Sequence, residues 1–393
     1  MRNMQFAIFF GTVILVYFLV NYYIYVHGLM AFQSTGNFKS IYKVLFWVIA
    51  STFIVGEILE HTHSSLAGEW VYRIGAFWLS FMLYLFIATL FIDIIRLLDK
   101  FFHIVPSVLK SNPENLGLWT GITVFSLVAI VVFFGHLNAL HTRVKQISIS
   151  LPKNVSGAPD MKILMASDIH LGALIGERRE QKLVDIINQQ QPDLVLLCGD
   201  MVDGDIAPVL RKKLGRHLQE TKPPMGMYAI PGNHEYIGGI TETLPYLESI
   251  NINVLRDQIV TLPNGVQIVG RDDLSARNRD GGRKELPGLL ENVDMNSPVI
   301  VMNHQPFNLG EVAKAGVDLH LSGHTHDGQM WPLNYITEAI FEDSWGFLKK
   351  DKTNIYVSSG FGSWGPPVRI GNSPEVVVFN LHFNRKQQNY RHD

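Results

Sequence analysis

Long apolar stretches separated by short polar breaks fill the first third of the chain. From about residue 143 the pattern changes to short apolar runs that end in polar residues. Four stretches, roughly Phe6 to Val26, Val44 to Leu59, Ile74 to Leu98 and Trp119 to Leu140, read as helices that cross a bilayer hydrocarbon core of about 30 Å. The second is the shortest and needs its flanks to complete the span. No small-residue cleavage motif follows the first, so it is expected to stay as an anchor and not to be removed as a signal peptide. The expected organisation is an all-α four-helix transmembrane region over residues 1–142, a linker over 143–158, and a soluble domain over 159–393.

In the soluble part, strand and helix signals alternate. Ile163 to Ala166, Leu194 to Cys198, Tyr228 to Ile230, Val299 to Met302 and Leu319 to Leu321 read as buried strands. Glu177 to Gln190 carries Leu183, Ile186 and Ile187 at helical spacing, and Ala207 to Gln219 reads as a second helix. Pro192-Asp193 and Pro223-Pro224 punctuate the returns to strand, and Pro263-Asn264-Gly265 between Val260–Leu262 and Val266–Val269 is a hairpin signal. The class is α/β, and about 250 residues suffice for one domain with its own core.

The 47% hydrophobic content comes from the membrane part and does not describe an unusually apolar soluble domain. A formal net charge of −2 gives no electrostatic reason to expect a nucleic-acid partner. Arg2, Arg73, Arg143, Lys145 and Lys153 on one side balance Lys39, Lys43, Arg96, Lys100 and Lys110 on the other, so loop charge sets no orientation. The lone Cys198 has no partner for an intrachain disulfide and reads as a small core residue. A multi-pass protein of the cell membrane is expected, with the bilayer as a partner.

Each apolar run ends in a polar motif: Asp168-Ile169-His170, Gly199-Asp200-Met201-Val202-Asp203, Gly232-Asn233-His234-Glu235, Asn303-His304 and Gly323-His324-Thr325-His326. Strands that end in Asp, Asn or His gather these groups at one sheet edge, where open α/β sheets place their sites. Asp168, His170, Asp200, Asn233, His304, His324 and His326 offer only oxygen and nitrogen, too many for one tetrahedral zinc and without a thiolate. Two divalent ions sharing a carboxylate fit better, and such pairs clamp the attacking and leaving oxygens of a phosphoryl displacement.

These motifs, in this order, resemble the signature of the calcineurin-like metallophosphoesterases: D-x-H, G-D-x-x-D, G-N-H-D/E, a lone His, then G-H-x-H. The stretch Ser359-Gly360-Phe361-Gly362-Ser363-Trp364-Gly365-Pro366-Pro367-Val368-Arg369 is similar to the tail of a bacterial membrane-associated branch, whose members include UDP-diacylglucosamine pyrophosphatases. The resemblance implies a four-layer α/β/β/α sandwich. It also implies a metal-dependent hydrolase with two divalent ions, Mn2+ first and Fe, Zn2+ or Co2+ as alternatives. Asp168, His170, Asp200 and His326 would hold the first ion, and Asp200, Asn233, His304 and His324 the second, with Asp200 bridging. His234, paired with Asp203, would act as general acid beside the leaving group. The implied substrate is a phosphodiester or pyrophosphate, lipid-linked substrates included, attacked by a metal-bridging hydroxide.

Gly204 follows Asp203 where protein phosphatases of the superfamily carry an Arg that grips phosphate, which counts against a phosphoprotein or phosphomonoester phosphatase. The complete ligand set counts against the other alternative, a non-catalytic membrane receptor that keeps the fold. Arg271 and Arg369 are candidate clamps, each expected instead to be a surface or structural residue. Glu57, Glu60, His61 and His63 at the end of the second span are expected to be solvated helix-end groups and not a metal site, and Asp93 with Arg96 a local ion pair. The aromatic segment Met330–Leu348 before Lys349-Lys350 has two readings. Core packing is the expected one; a lip lying on the membrane is the other.

Overall fold

The computed structural model describes residues 2–33, 35–62, 64–278 and 282–385, and the chain divides into two units, 1–136 and 137–393. Helices α1 (Arg2–Ala31), α2 (Asn37–Thr62), α3 (Leu66–Phe102) and α5 (Pro113–Leu140) are long and apolar enough to cross a membrane; a short α4 (Ser107–Lys110) precedes the last. All four expected stretches are helices and longer than read, and α2 gains the flanks it needs. Gly56 and Gly75 let α2 and α3 approach closely: a Cβ on them would come within 2.4 Å of Tyr72 Cα and 2.3 Å of Phe53 Cα. Arg96 lies 3.2 Å from Asp93 as expected, and Asp93 also accepts from Tyr23 (2.6 Å) and faces His27 Nε2 (2.9 Å). His61 pairs only loosely with Glu57, at 3.3 Å and half exposed; His63 lies outside the described residues.

The second unit holds two six-stranded sheets. Its strands are β1 (Arg143–Val155), β2 (Asp160–Ala166), β3 (Leu194–Cys198), β4 (Met227–Ile230), β5 (Asn253–Val254), β6 (Gln258–Thr261), β7 (Gln267–Gly270), β8 (Val299–Met302), β9 (Leu319–Ser322), β10 (Gly346–Lys350), β11 (Thr353–Val357) and β12 (Glu375–Arg385). The sheet orders are β1-β12-β2-β3-β4-β5 and β10-β11-β9-β8-β7-β6, with β2 to β5 parallel in one and β7, β8, β9 and β11 parallel in the other. Helices α6 (Glu177–Gln190), α7 (Ala207–Lys212), α8 (Asn233–Gly238), α9 (Ile240–Ser249), α10 (Leu286–Leu290), α11 (Leu309–Lys314) and α12 (Asn334–Ile340) complete it.

Alternation along each strand builds the layers, because successive side chains point to opposite faces. Ile163, Leu196, Ile300 and Leu321 pack between the sheets with Cys198, while Leu164, Val195 and Leu197 meet Leu183 and Ile187 of α6 on the outside. Val299 and Val301 meet Leu289 and Val312 outside the second sheet. This is the expected four-layer α/β/β/α sandwich, with Cys198 buried as a core residue.

Three expectations change. Residues 143–158 are not a linker, since β1 occupies most of them and pairs along its length with β12. The helix expected over Ala207–Gln219 stops at Lys212, because Lys213 takes a φ of 53° that breaks it, and a 3-10 turn follows over Arg216–Glu220. Core packing of the aromatic segment is overturned: none of α12 is buried, and Tyr335, Ile336 and Ile340 are 60%, 54% and 59% exposed.

Candidate metal centre

The polar motifs follow the carboxyl ends of β2, β3, β4, β8 and β9, so both sheets deliver their acids and histidines to one edge. Asp168, His170 and His326 form one buried group with ligand atoms within 4.8 Å of one another, and Asp200, His304 and His324 form a second. Asp200 joins them: its Oδ2 stands 3.0 Å from His304 Nε2 and 3.9 Å from His170 Nε2. His170 and His326 bring their Nε2 atoms to 3.1 Å, a separation that needs a proton or a cation between them. Asn233 opens α8, and the next residue ties this turn to the bridge, its backbone N–H donating to Asp200 Oδ1 at 2.9 Å. The third group is His170, Asp203 and His234. Asp203 Oδ1 serves both rings, 3.2 Å from His170 Nδ1 and 3.4 Å from His234 Nδ1.

The local backbone explains the motif glycines. A Cβ on Gly232 would lie 2.1 Å from Asp200 Oδ1, and one on Gly323 2.3 Å from Asp168 Oδ2, so only glycine lets each turn close on the neighbouring carboxylate. Asp168, His170, Asp200, His324 and His326 themselves hold φ between 49° and 74°. Left-handed conformations at such residues cost about 1–3 kcal/mol each and persist where surrounding structure enforces them.

The residues fit divalent cations. Asn233 Oδ1 is buried without a hydrogen-bond partner, a state costing about 1–3 kcal/mol that a cation relieves, and His304 Nε2 faces the Asp200 carboxylate at 3.0 Å. His304 Nδ1 contacts the Cys198 carbonyl at 2.8 Å, which puts its proton there and turns the Nε2 lone pair inward. Burial pushes His324 down to about 4 and His326 well below the ordinary histidine range, so both rings are neutral. Burial alone would raise the Asp200 carboxyl, but His304, His234 and His170 outweigh it and hold it far below the ordinary range. Burial opposes the charged form of His234 too, yet Asp203, Asp200 and Glu235 raise it to about 9.

Two residues around the centre have roles the sequence reading did not assign. Glu235 is fully buried and accepts backbone N–H bonds from Gly232 (2.7 Å), Asp200 (3.1 Å) and Val202 (3.0 Å), which clamps two motif turns together. Its place three residues after Gly232, where its carboxylate reaches back to the backbone N–H that opens the helix, is the signal that could have found it. Arg369 is neither at the surface nor free to grip phosphate. It is fully buried and donates to the His326 carbonyl (3.1 Å), His326 Nδ1 (3.0 Å) and the Gly362 carbonyl (2.7 Å). Arg271 is likewise buried, against the Lys284 carbonyl at 3.2 Å. The 359–369 stretch grips the first motif from behind, Phe361 and Gly362 donating to the Ser167 and Asp168 carbonyls at 2.8 and 2.7 Å.

Residues 161–328 match the family model described as calcineurin-like phosphoesterase. An uncharacterized metallophosphoesterase of Aquifex aeolicus is 36% identical over 252 residues, covering 63% of this chain and 95% of the relative. One of Campylobacter jejuni is 29% identical over 394 residues, covering 96% of this chain and 99% of the relative. A zebrafish (Danio rerio) transmembrane protein with metallophosphoesterase domain is 28% identical, covering 65% of this chain and 61% of the relative.

Proposed function

We propose, from the premise that this chain belongs to the calcineurin-like metallophosphoesterases and is a metal-dependent hydrolase of phosphoesters, that it is a multi-pass protein of the cell membrane with a binuclear centre that cleaves phosphodiesters or pyrophosphates. Asp168, His170, Asp200 and His326 would hold one cation and Asp200, Asn233, His304 and His324 the other. The observation that carries this reading is Asp200, whose Oδ2 faces a histidine of each group. Bound there, the cations supply electrophilic activation of the phosphoryl oxygens and of the attacking water.

The chain's own residues then divide the remaining work. Asp203 holds His234 as an imidazolium, and His234 delivers its proton to the leaving oxygen. Arg369 and Asp203 position His326 and His170. Trp364, with its ring 6.1 Å from that of His234, and Ile237, 65% exposed, flank the leaving-group side with apolar surface. That surface favours an acyl or other apolar group beyond the phosphate and supports a lipid-linked substrate. Gly204 holds a φ of 69°, a conformation unfavourable to the phosphate-gripping Arg of protein phosphatases.

The test is manganese-dependent hydrolysis of bis(p-nitrophenyl) phosphate against p-nitrophenyl phosphate by detergent-purified protein. Cleavage of the diester that falls at least about a thousandfold in Asp200→Asn is expected. Preference for the monoester would return the reading to a phosphomonoester phosphatase, and absence of metal-dependent cleavage of either would end the diesterase reading.

A further inference from the structure

We propose that the exposed apolar rim formed by Trp331, Tyr335, Ile336, Ile340 and Trp364 is a bilayer-docking surface, seated in the headgroup layer of the membrane that holds this chain's own helices. These side chains are 44% or more exposed, with Trp331 at 47% and Trp364 at 58%. Helix α12 buries no residue, so it adds nothing to the core beneath it. Trp and Tyr are the residues enriched at membrane interfaces, where a ring meets hydrocarbon and its polar edge meets water. Lys349 follows exposed in β10, while Lys350 is paired with Glu342.

Two observations favour the bilayer as the occupant. The chain enters the second unit through residues 137–140, and that entry is bonded to the same loops that carry the rim. Asn138 Nδ2 donates to the carbonyls of Arg369 (3.0 Å) and Asn372 (2.7 Å), while Trp331 N–H donates to the neighbouring Ile370 carbonyl (2.7 Å). Gln329 ties the Trp364 loop to the same place through that residue's carbonyl (2.9 Å) and N–H (3.0 Å). An apolar helix of 28 residues, long enough to cross a bilayer, ends at Leu140, within this same stretch. The rim is also continuous with the cleft: Phe341, directly after α12, lies 5.9 Å from the His324 ring, and Trp364 lies 6.1 Å from that of His234. Docking would therefore bring the cleft mouth to the level of lipid phosphates. That consequence rests on the hydrolase reading above, whereas docking itself does not.

Two measurements separate these parts. Full-length protein carrying Ile336→Cys or Ile340→Cys is spin-labelled and reconstituted in phosphatidylcholine–phosphatidylglycerol bilayers; the native Cys198 is fully buried and does not label. Docking predicts that each label collides more with lipid-soluble oxygen than with a water-soluble nickel chelate, while Glu291→Cys, at an exposed position, shows the reverse. A nickel-dominated pattern at residues 336 and 340 overturns docking and leaves the face to a protein partner or a second copy. In the second measurement, Tyr335→Ser/Ile336→Ser/Ile340→Ser is assayed on phosphatidyl-p-nitrophenol in vesicles and on soluble bis(p-nitrophenyl) phosphate. Loss of the local-concentration advantage lowers lipid turnover by about tenfold and leaves the soluble reaction within about twofold. Equal change on both substrates overturns the lip. Wild-type protein that cleaves neither overturns the hydrolase reading, and the spin-label result still decides docking.

Discussion

Polar side chains are placed in apolar surroundings in both units, and the two units treat them differently. In the helical unit, Asp93 is closed off: Tyr23, His27 and Arg96 all turn their polar atoms to its carboxylate. At the sheet edge, Asn233 Oδ1 is buried and left without a hydrogen-bond partner, and two histidine Nε2 atoms face each other. A closed network stabilises a fold and asks nothing of a ligand. An open one costs folding free energy and is retained where something else completes it. The strained backbone at Asp168, Asp200 and His326 points the same way, since strain collects where function enforces it.

The contrast can be sharpened by substitution. His234→Ala removes a proton donor but no proposed ligand, so kcat on a diester should fall by about a hundredfold or more while metal content by mass spectrometry stays level; loss of metal along with turnover would make His234 a ligand. Arg369→Gln takes away the group that positions His326, and metal affinity should fall by about tenfold to a hundredfold, with turnover recovering at high metal concentration. Turnover lost without recovery would point to direct contact with substrate. Asp93→Asn opens the closed network, and the expected result is a melting temperature lower by about 2 °C or more with turnover on a soluble diester unchanged. A large loss of turnover there would erase the distinction between the two kinds of network.

Much of this architecture could be read from local pattern. The strands that end in the site are short runs of apolar residues capped by Gly and a ligand type, and β3 and β8 appear at the expected bounds. What local pattern does not carry is pairing at long range. β1 shows its alternation locally, Ile147, Ile149 and Leu151 against Ser148 and Ser150, but not its partner: β12, more than 200 residues later, pairs with it and makes 143–155 part of a sheet in place of a linker. Arg369 looks like a surface residue until the 359–369 stretch folds back on Asp168 and buries its guanidinium against His326. The aromatic segment after His326 is exposed against expectation for a related reason: periodicity says that a face is apolar, not what covers it.

The central claim is that the open network holds two cations through Asp200. Its most direct test is metal stoichiometry on full-length protein purified in detergent, stripped, and titrated with Mn2+ for wild type and Asp200→Asn. Two equivalents bound by the wild type, with one or none retained by the variant at the same free metal concentration, is the expected result. A single equivalent in the wild type, or two in both proteins, would contradict it.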